Sequence, residues 1–403
     1  MKLYYNLTIV LLLLLGVSCT TLKAVKYIKS GVVNKKKYKT EVPFRMQYGT
    51  IVIKVMIHGK EYHFILDSGA PTVISKELAQ QLGIKAVGYG KGGDSQGNSE
   101  EMGYATIDSL GIGDLQFLNF GVAITDLNQS KEVACFHIDG LIGATLMRKA
   151  VWQIDYEHEM ITICNDRNML PTPAHAQHVK FHYKLTGIPL IDVQVNEQMD
   201  KDVIVDLGSN ADYYSSYPTF NALMQQGLIT NMYSYGYGAA GIFGRGKQDT
   251  SWIAIVHDIK FGDVILKNQA VTFCHGKPKT IGTNFLKNYT LIFDWSANEL
   301  TMIPHGTYNN LEQRIYDFSL VLKDKHVYIG TLFYNGKPHR EGPQLGDQVL
   351  EIDGKDYRSC DGEKWCDLLS ERFDKSTNSV KLLVKHGEQE ISYQLDKTAF
   401  FLK

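Results

Sequence analysis

Metal-ligand spacing is missing from this sequence: it holds no Cys-x-x-Cys pair and no His-Glu-x-x-His run. A structural zinc clamp or a zinc-hydrolase helix is therefore not expected, and no metal site is assigned. No nucleophile elbow supports a Ser/His/Asp triad. His58, His63, His137, His158, His175 and His178 are scattered and read as surface or locally satisfied side chains. Net charge is lacking too: 42 Lys and Arg against 43 Asp and Glu leave −1, which gives no reason to expect a nucleic-acid partner. Cysteine is scarce, at six. Setting Cys19 aside leaves Cys135, Cys164, Cys274, Cys360 and Cys366, so at most two pairs form, and Cys360 and Cys366 are close enough in sequence to bridge. What is plentiful is Gly (36) and Tyr (23), which suit strands and turns better than helices. At 403 residues the chain is long enough for two or three domains.

The one long apolar run is at the start. "MKLYYNLTIVLLLLLGVSC" carries Lys2, an apolar stretch through Leu15, then Gly16 and Ser18 before Cys19. Residues 1–18 read as a secretory signal, too short for a comfortable membrane span. The small residues before the cysteine resemble a bacterial lipoprotein cleavage box. That resemblance implies lipidation of Cys19, with 19–43, which includes the Lys-rich "NKKKYK", as a polar tether. An exported, membrane-anchored lipoprotein of the cell envelope is the expected location.

The acid in "FILDSGAPTVIS" (Phe64–Ser75) is the next question, since a carboxylate ending an apolar strand is costly unless paired or chemically used. Self-similarity supplies the partner. "DVIVDLGSNADYYSS" places Asp206 after Val203-Ile204-Val205, so the offset from Asp67 is 206 − 67 = 139. The same offset relates Gly143 to Gly282, Leu146 to Phe285, Asp155 to Asp294 and Cys135 to Cys274. Upstream, Ile53, Val55 and Ile57 answer Ile191, Val193 and Val195, each set alternating as half-buried strands do. The sequence thus contains a duplicated β unit over 44–168 and 178–305, joined by "NDRNMLPTPAHAQ". Asp155 and Asp294 read as structural.

Two related units facing each other about a pseudo-twofold axis bring Asp67 and Asp206 together. Two carboxylates in one site cannot both ionise cheaply, so the pair holds one proton. One then serves as general base on a water while the other polarises a carbonyl. Gly69 and Gly208 suit turns that approach the opposite unit closely.

"ILDSGA", with Asp67, Ser68, Gly69 and Ala70, resembles the Asp-Thr/Ser-Gly signature of the aspartic proteases, retroviral-like and two-lobed pepsin-like. "GLIG" (140–143) and "TIG" (280–282) resemble their apolar-apolar-Gly element. The resemblance covers about 260 residues. It implies duplicated acid-protease β-barrel lobes, an aspartic-type endopeptidase, and a peptide or protein substrate. It also implies Asp67 and Asp206 as catalytic residues, with Ser68, Gly69, Ala70, Gly208 and Ser209 shaping their loops. The second signature reads Asp-Leu-Gly-Ser: Leu207 stands where the family carries a hydroxyl. Ala70 offers no side-chain hydrogen bond, whereas Ser209 can bond a carboxylate. Asp67 is therefore expected to be the more readily protonated acid, with working conditions nearer neutral than gastric acid. The alternative is a catalytically inactive peptide-binding lipoprotein of the same fold, which Leu207 favours.

"GYGKGGDSQGNSEE" (Gly88–Glu101) and "YSYGYGAAGIFGRG" (Tyr233–Gly246) read as mobile hairpins over a cleft. The second contains a literal Gly-x-Gly-x-x-Gly, but its flanks look β, which a dinucleotide site does not allow. Residues 316–403 resemble a PDZ domain in "GPQLGDQVLEIDG", the helix-like "EKWCDLLSERF" and two closing strands. That implies an α+β module able to take an extended peptide at a sheet edge, and gating or presentation of substrate. The chain is expected to need no cofactor and to act as a monomer.

Overall fold

A computed structural model describes residues 27–334, 342–373 and 378–399. The signal segment and Cys19 lie outside the described residues. Among the described residues no helix is long and apolar enough to cross a membrane. The chain is mainly β, as its composition and alternation predict.

The first repeat opens with the antiparallel strands β1 (Lys39–Gln47), β2 (Thr50–Ile57) and β3 (Lys60–Asp67). The β2–β3 turn places His58 and Gly59 at φ 49° and 78°, the left-handed pair a tight two-residue hairpin requires. Strand β4 (Val73–Ser75) and helix α1 (Lys76–Gln81) follow, with the Ser75 hydroxyl capping the helix at 2.9 Å from the Leu78 amide. Next come the hairpin β5 (Gly88–Gly93) and β6 (Ser99–Ile112), strand β7 (Leu115–Thr125), and the short helix α2 (Lys131–Ala134). Strand β8 (Gly140–Gly143), helix α3 (Ala144–Met147) and the hairpin β9 (Val151–Asp155) and β10 (Met160–Cys164) close the repeat.

The second repeat replays this order. It runs β11 (Gln177–Lys180), β12 (Pro189–Val195), β13 (Gln198–Val205), β14 (Tyr213–Ser216) and helix α4 (Tyr217–Gln225), capped by Ser216. Then come β15 (Thr230–Gly236), β16 (Asp249–Phe261), β17 (Val264–Cys274), β18 (Thr280–Ile281), helix α5 (Thr283–Leu286), β19 (Tyr289–Asp294) and β20 (Glu299–Pro304). Pairings correspond: β3 runs parallel to β8 as β13 does to β18, and β4 parallel to β7 as β14 to β17.

The repeats join through one antiparallel pair, β9 with β19, in which Gln153 sits opposite Ile292. Those two residues are themselves equivalents, since 292 − 153 = 139, so the pseudo-twofold axis passes between them. Buried Trp152, Ile154, Leu291 and Phe293 flank the axis and belong to a single apolar core spanning both repeats. One correspondence fails. Cys274 pairs opposite Ser216 at the end of β17, and the equivalent pairing in the first repeat sets Thr125 opposite Ser75. Cys135 lies beyond that strand, at the end of α2. The cause is a compensated length change. The loop before β16 is longer than the loop before β6 (237–248 against 94–98), while the stretch after β17 is shorter than the one after β7 (275–279 against 126–139).

The C-terminal module comprises the hairpin β21 (Phe318–Lys323) and β22 (His326–Tyr334), strand β23 (Gln348–Ile352), helix α6 (Gly362–Phe373), and the hairpin β24 (Ser379–His386) and β25 (Gln389–Asp396). Its core holds Val327, Val349, Trp365, Leu382 and Val384, each fully buried. Among its links to the repeats are a strand pairing and a disulfide, beside which the Tyr48 hydroxyl donates to the Cys366 carbonyl at 3.3 Å. Strand β22 extends the sheet of the second repeat by pairing with β15, from Tyr233 opposite Tyr334 to Gly236 opposite Thr331. Gly236 has φ 141°, and a Cβ there would lie 2.2 Å from the Gly330 carbonyl oxygen, so the approach requires glycine. The second link is a disulfide between Cys135 and Cys366. This corrects the expected Cys360–Cys366 bridge. Cys360 packs inside the module core, as does Trp365 on α6. Cys366, one residue further along the helix, is rotated away from Trp365 and faces the first repeat. Cys164, Cys274 and Cys360 are free and buried.

Candidate active site

Phe64, Ile65 and Leu66 are buried and drive β3 inward; Asp67, half-buried as a residue, is where the strand leaves the core. Val203 and Val205 do the same for Asp206 in the second repeat. The two carboxyls are hydrogen-bonded to each other. Each is also bound by the glycine amide of its own loop, Gly69 to Asp67 Oδ1 and Gly208 to Asp206 Oδ1, both at 2.9 Å. A Cβ on Gly69 would stand 2.5 Å from the Asp206 carboxyl carbon, and one on Gly208 would stand 2.4 Å from that of Asp67. Neither position admits a side chain while the carboxyls stay where they are.

The pair is electrostatically unequal. Burial pushes Asp67 well above the usual carboxylate range; the Asp206 charge and the hydrogen bond between the acids raise it further, against the Gly69 and Ala70 amides. Burial raises Asp206 as well, but the Gly208 amide, the hydrogen bond from Asp67, and the Ser209 and Gly69 amides oppose it. The pair therefore holds one proton more tightly than an isolated carboxyl would, and Asp67 is the more strongly raised of the two. That is the expected direction, with a different cause. The interaction between the acids raises Asp67 and lowers Asp206, and the Gly208, Ser209 and Gly69 amides lower Asp206 further, while the Ser209 hydroxyl accepts from the Ala211 amide at 3.3 Å. Ala70 contributes its amide to Asp67 and its carbonyl to the Ala144 amide, at 2.8 Å.

Ser68 crosses to the other repeat. Its fully buried hydroxyl donates to the Val205 carbonyl at 2.7 Å and accepts from the Leu207 amide at 3.0 Å. Leu207 has no hydroxyl to return those bonds and is wholly buried in the shared core. The two loops are thus locked from one side only.

Several supporting residues were not singled out from sequence. Thr72 and Thr145 bond each other at 3.0 Å; Thr72 Oγ1 receives the Gly143 amide and Thr145 Oγ1 the Thr72 amide. In the second repeat Thr283 donates its amide to the Ser209 carbonyl and its hydroxyl to the Gly49 carbonyl of the first repeat, at 2.7 and 2.6 Å. The available signal is position: Thr145 and Thr283 each follow an apolar-apolar-Gly element within two residues. Asp155 and Asp294 accept backbone amides of their own hairpin turns, Glu157 and His158 in one case and Ser296 and Ala297 in the other.

The two glycine-rich segments meet. The Asp94 carboxylate accepts the Phe243 amide at 3.1 Å, and the Asn98 side chain donates to the Gly244 carbonyl at 3.1 Å. A literal Gly-x-Ser-x-Gly string, Gly93–Gly97, which sequence reasoning passed over, forms the turn between β5 and β6; with no helix after it, it is not a nucleophile elbow. Strands flank the Gly-x-Gly-x-x-Gly string on both sides, which excludes a dinucleotide loop.

Residues 53–146 match a family model described as aspartyl protease. The match runs from β2 through α3 and includes Asp67, and it supports an aspartyl protease family at that coarse level. No curated protein matches the chain.

Proposed function

We propose that the chain is an aspartic-type endopeptidase in which Asp67 and Asp206 activate one water between them. The observation that carries this reading is the contact of the two carboxyls, each against the other repeat's loop glycine. Asp206, ionised, takes a proton from the water as it attacks the peptide carbonyl carbon, while protonated Asp67 donates to the carbonyl oxygen. Collapse of the tetrahedral species breaks the C–N bond: the proton gained by Asp206 goes to the leaving amine, and a hydroxyl proton of the diol returns to Asp67 as the carbonyl re-forms. Ser68, Gly69, Ala70, Gly208 and Ser209 hold the loops. The raised titration of the pair supports an optimum above pH 4.

The proposed organisation is a protease lobe over 44–168, a second over 178–305 and a PDZ-like module over 316–403 that gates the cleft. Lipidation of Cys19, release of the 1–18 signal and tethering of a monomer through 19–43 complete it. One observation favours a second reading, a peptide-binding chain without turnover: Leu207 leaves the loop lock one-sided. Digestion of a mixed-peptide library decides between them. Cleavage by the wild type that is lost in both Asp67→Asn and Asp206→Asn supports the peptidase; cleavage indifferent to both substitutions ends the dyad mechanism.

A further inference from the structure

The longer loop between β15 and β16 reaches across to the first repeat and leaves an apolar side chain there. Phe243, at the tip, is only 7% exposed although its loop carries no core of its own. It belongs to an apolar cluster whose other buried members, Ile65, Leu127 and Leu141 among them, come from the first repeat, with Ala70 of the acid loop and Phe136 packed against it. Ile242 packs on the same cluster. Three polar contacts pin the tip: the Phe243 amide to Asp94, the Gly244 carbonyl to Asn98, and Arg245 Nε to Glu132 Oε1 at 2.9 Å. The Arg245–Glu132 pair is largely buried, with side chains 20% and 18% exposed.

We propose that Ile242-Phe243 is a resident occupant of a first-repeat subsite, displaced by a substrate peptide that presents a bulky apolar side chain to the same cluster. The inference rests on the peptidase reading for the identity of the ligand as a peptide, but not on turnover. A cluster that buries a phenylalanine of its own chain has the size and polarity for another phenylalanine or leucine and disfavours a charged side chain. The loop backbone also offers the peptide a route in: the contacts to Asp94 and Asn98 are hydrogen bonds that an extended peptide backbone can take over. Until the tip leaves, only a fraction of molecules is competent to bind, and the apparent affinity is reduced by that fraction.

Binding, rather than cleavage, separates this proposal from the peptidase reading. The full chain bearing Asp67→Asn and Asp206→Asn is titrated with a fluorescent decapeptide carrying a central Phe, and with the same peptide carrying Asp there. Phe243→Ala in that background is expected to tighten the Phe peptide about tenfold and leave the Asp peptide weak. Arg245→Gln, which loosens the tip without altering the cluster, is expected to act in the same direction. Unchanged or weaker binding of the Phe peptide in both variants overturns the proposal, because Phe243 would then be a wall of the site or unrelated to it. A chain that binds as expected yet cleaves nothing in its native form keeps this inference and removes the peptidase.

Discussion

Replacing Ser68 with alanine tests the one-sided lock directly. The Ser68 hydroxyl is the common partner of the Val205 carbonyl and the Leu207 amide, which bracket Asp206 in sequence. All three atoms lie in the shared core, where water does not replace a lost partner. Leaving a buried donor or acceptor unsatisfied costs about 1–3 kcal/mol each, so Ser68→Ala, which orphans two, should destabilise by roughly 2–6 kcal/mol. The missing hydroxyl at 207 makes the effect larger than in a two-sided lock, since no second bridge holds the loops in register. Urea unfolding followed by tryptophan fluorescence reads the loss, Trp152 and Trp295 being buried beside the axis. Ser68→Thr keeps the hydroxyl and serves as control. Catalysis should fall with the alanine variant by about 100-fold, the scale of a small displacement of a reacting group. A stability loss below about 0.5 kcal/mol would refute the reasoning, because it would place the bridge in the range of an ordinary surface substitution.

Asp67→Asn carries a signed pH dependence. A carboxyl raised on folding binds its proton more tightly in the native state, so stability falls as pH climbs from the unfolded value toward the raised native one. The asparagine variant should therefore match the wild type below about pH 4 and exceed it at pH 7 in urea midpoint; a variant less stable at pH 7 contradicts the assignment of the proton. Gly208→Ala would drive a Cβ into the Asp67 carboxyl, at 2.4 Å from its carbon, and should abolish peptide cleavage while circular dichroism remains β-rich. Gly236→Ala meets the Gly330 carbonyl at 2.2 Å and should detach β22 from β15, seen as new protease sensitivity between the second repeat and the module. Reduction of Cys135–Cys366, whose partners are 231 residues apart, should lower stability by about 2–5 kcal/mol, and Cys366→Ser should reproduce it. Equal midpoints with and without reductant would show that the module is held without the disulfide.

What was legible in the sequence is what repeats. The equal spacing of Asp67 with Asp206 and Gly143 with Gly282 located both acid loops, because a strand, a turn and a threading glycine leave little freedom in length. The same argument misled at Cys135 and Cys274. An insertion in one loop and a deletion in the next cancel, so equal offset there joins residues that occupy different places. Cysteine pairing was not legible either, since it depends on which face of α6 turns toward the first repeat and not on spacing. Leu207 was legible as a departure, but its meaning needed the partner atoms. A leucine at that position is not merely a missing hydroxyl; it is wholly buried in the core the two repeats share. Restoring the family hydroxyl by Leu207→Thr would therefore exchange apolar packing for a second bridge. The net sign depends on whether the threonine reaches the atoms that mirror Val205 and the Leu207 amide, namely the Leu66 carbonyl and the Ser68 amide. If Leu207→Thr gains activity while losing stability, the present sequence has traded a symmetric lock for a tighter core; if it loses both, the leucine is as much a part of the site's support as Ser68.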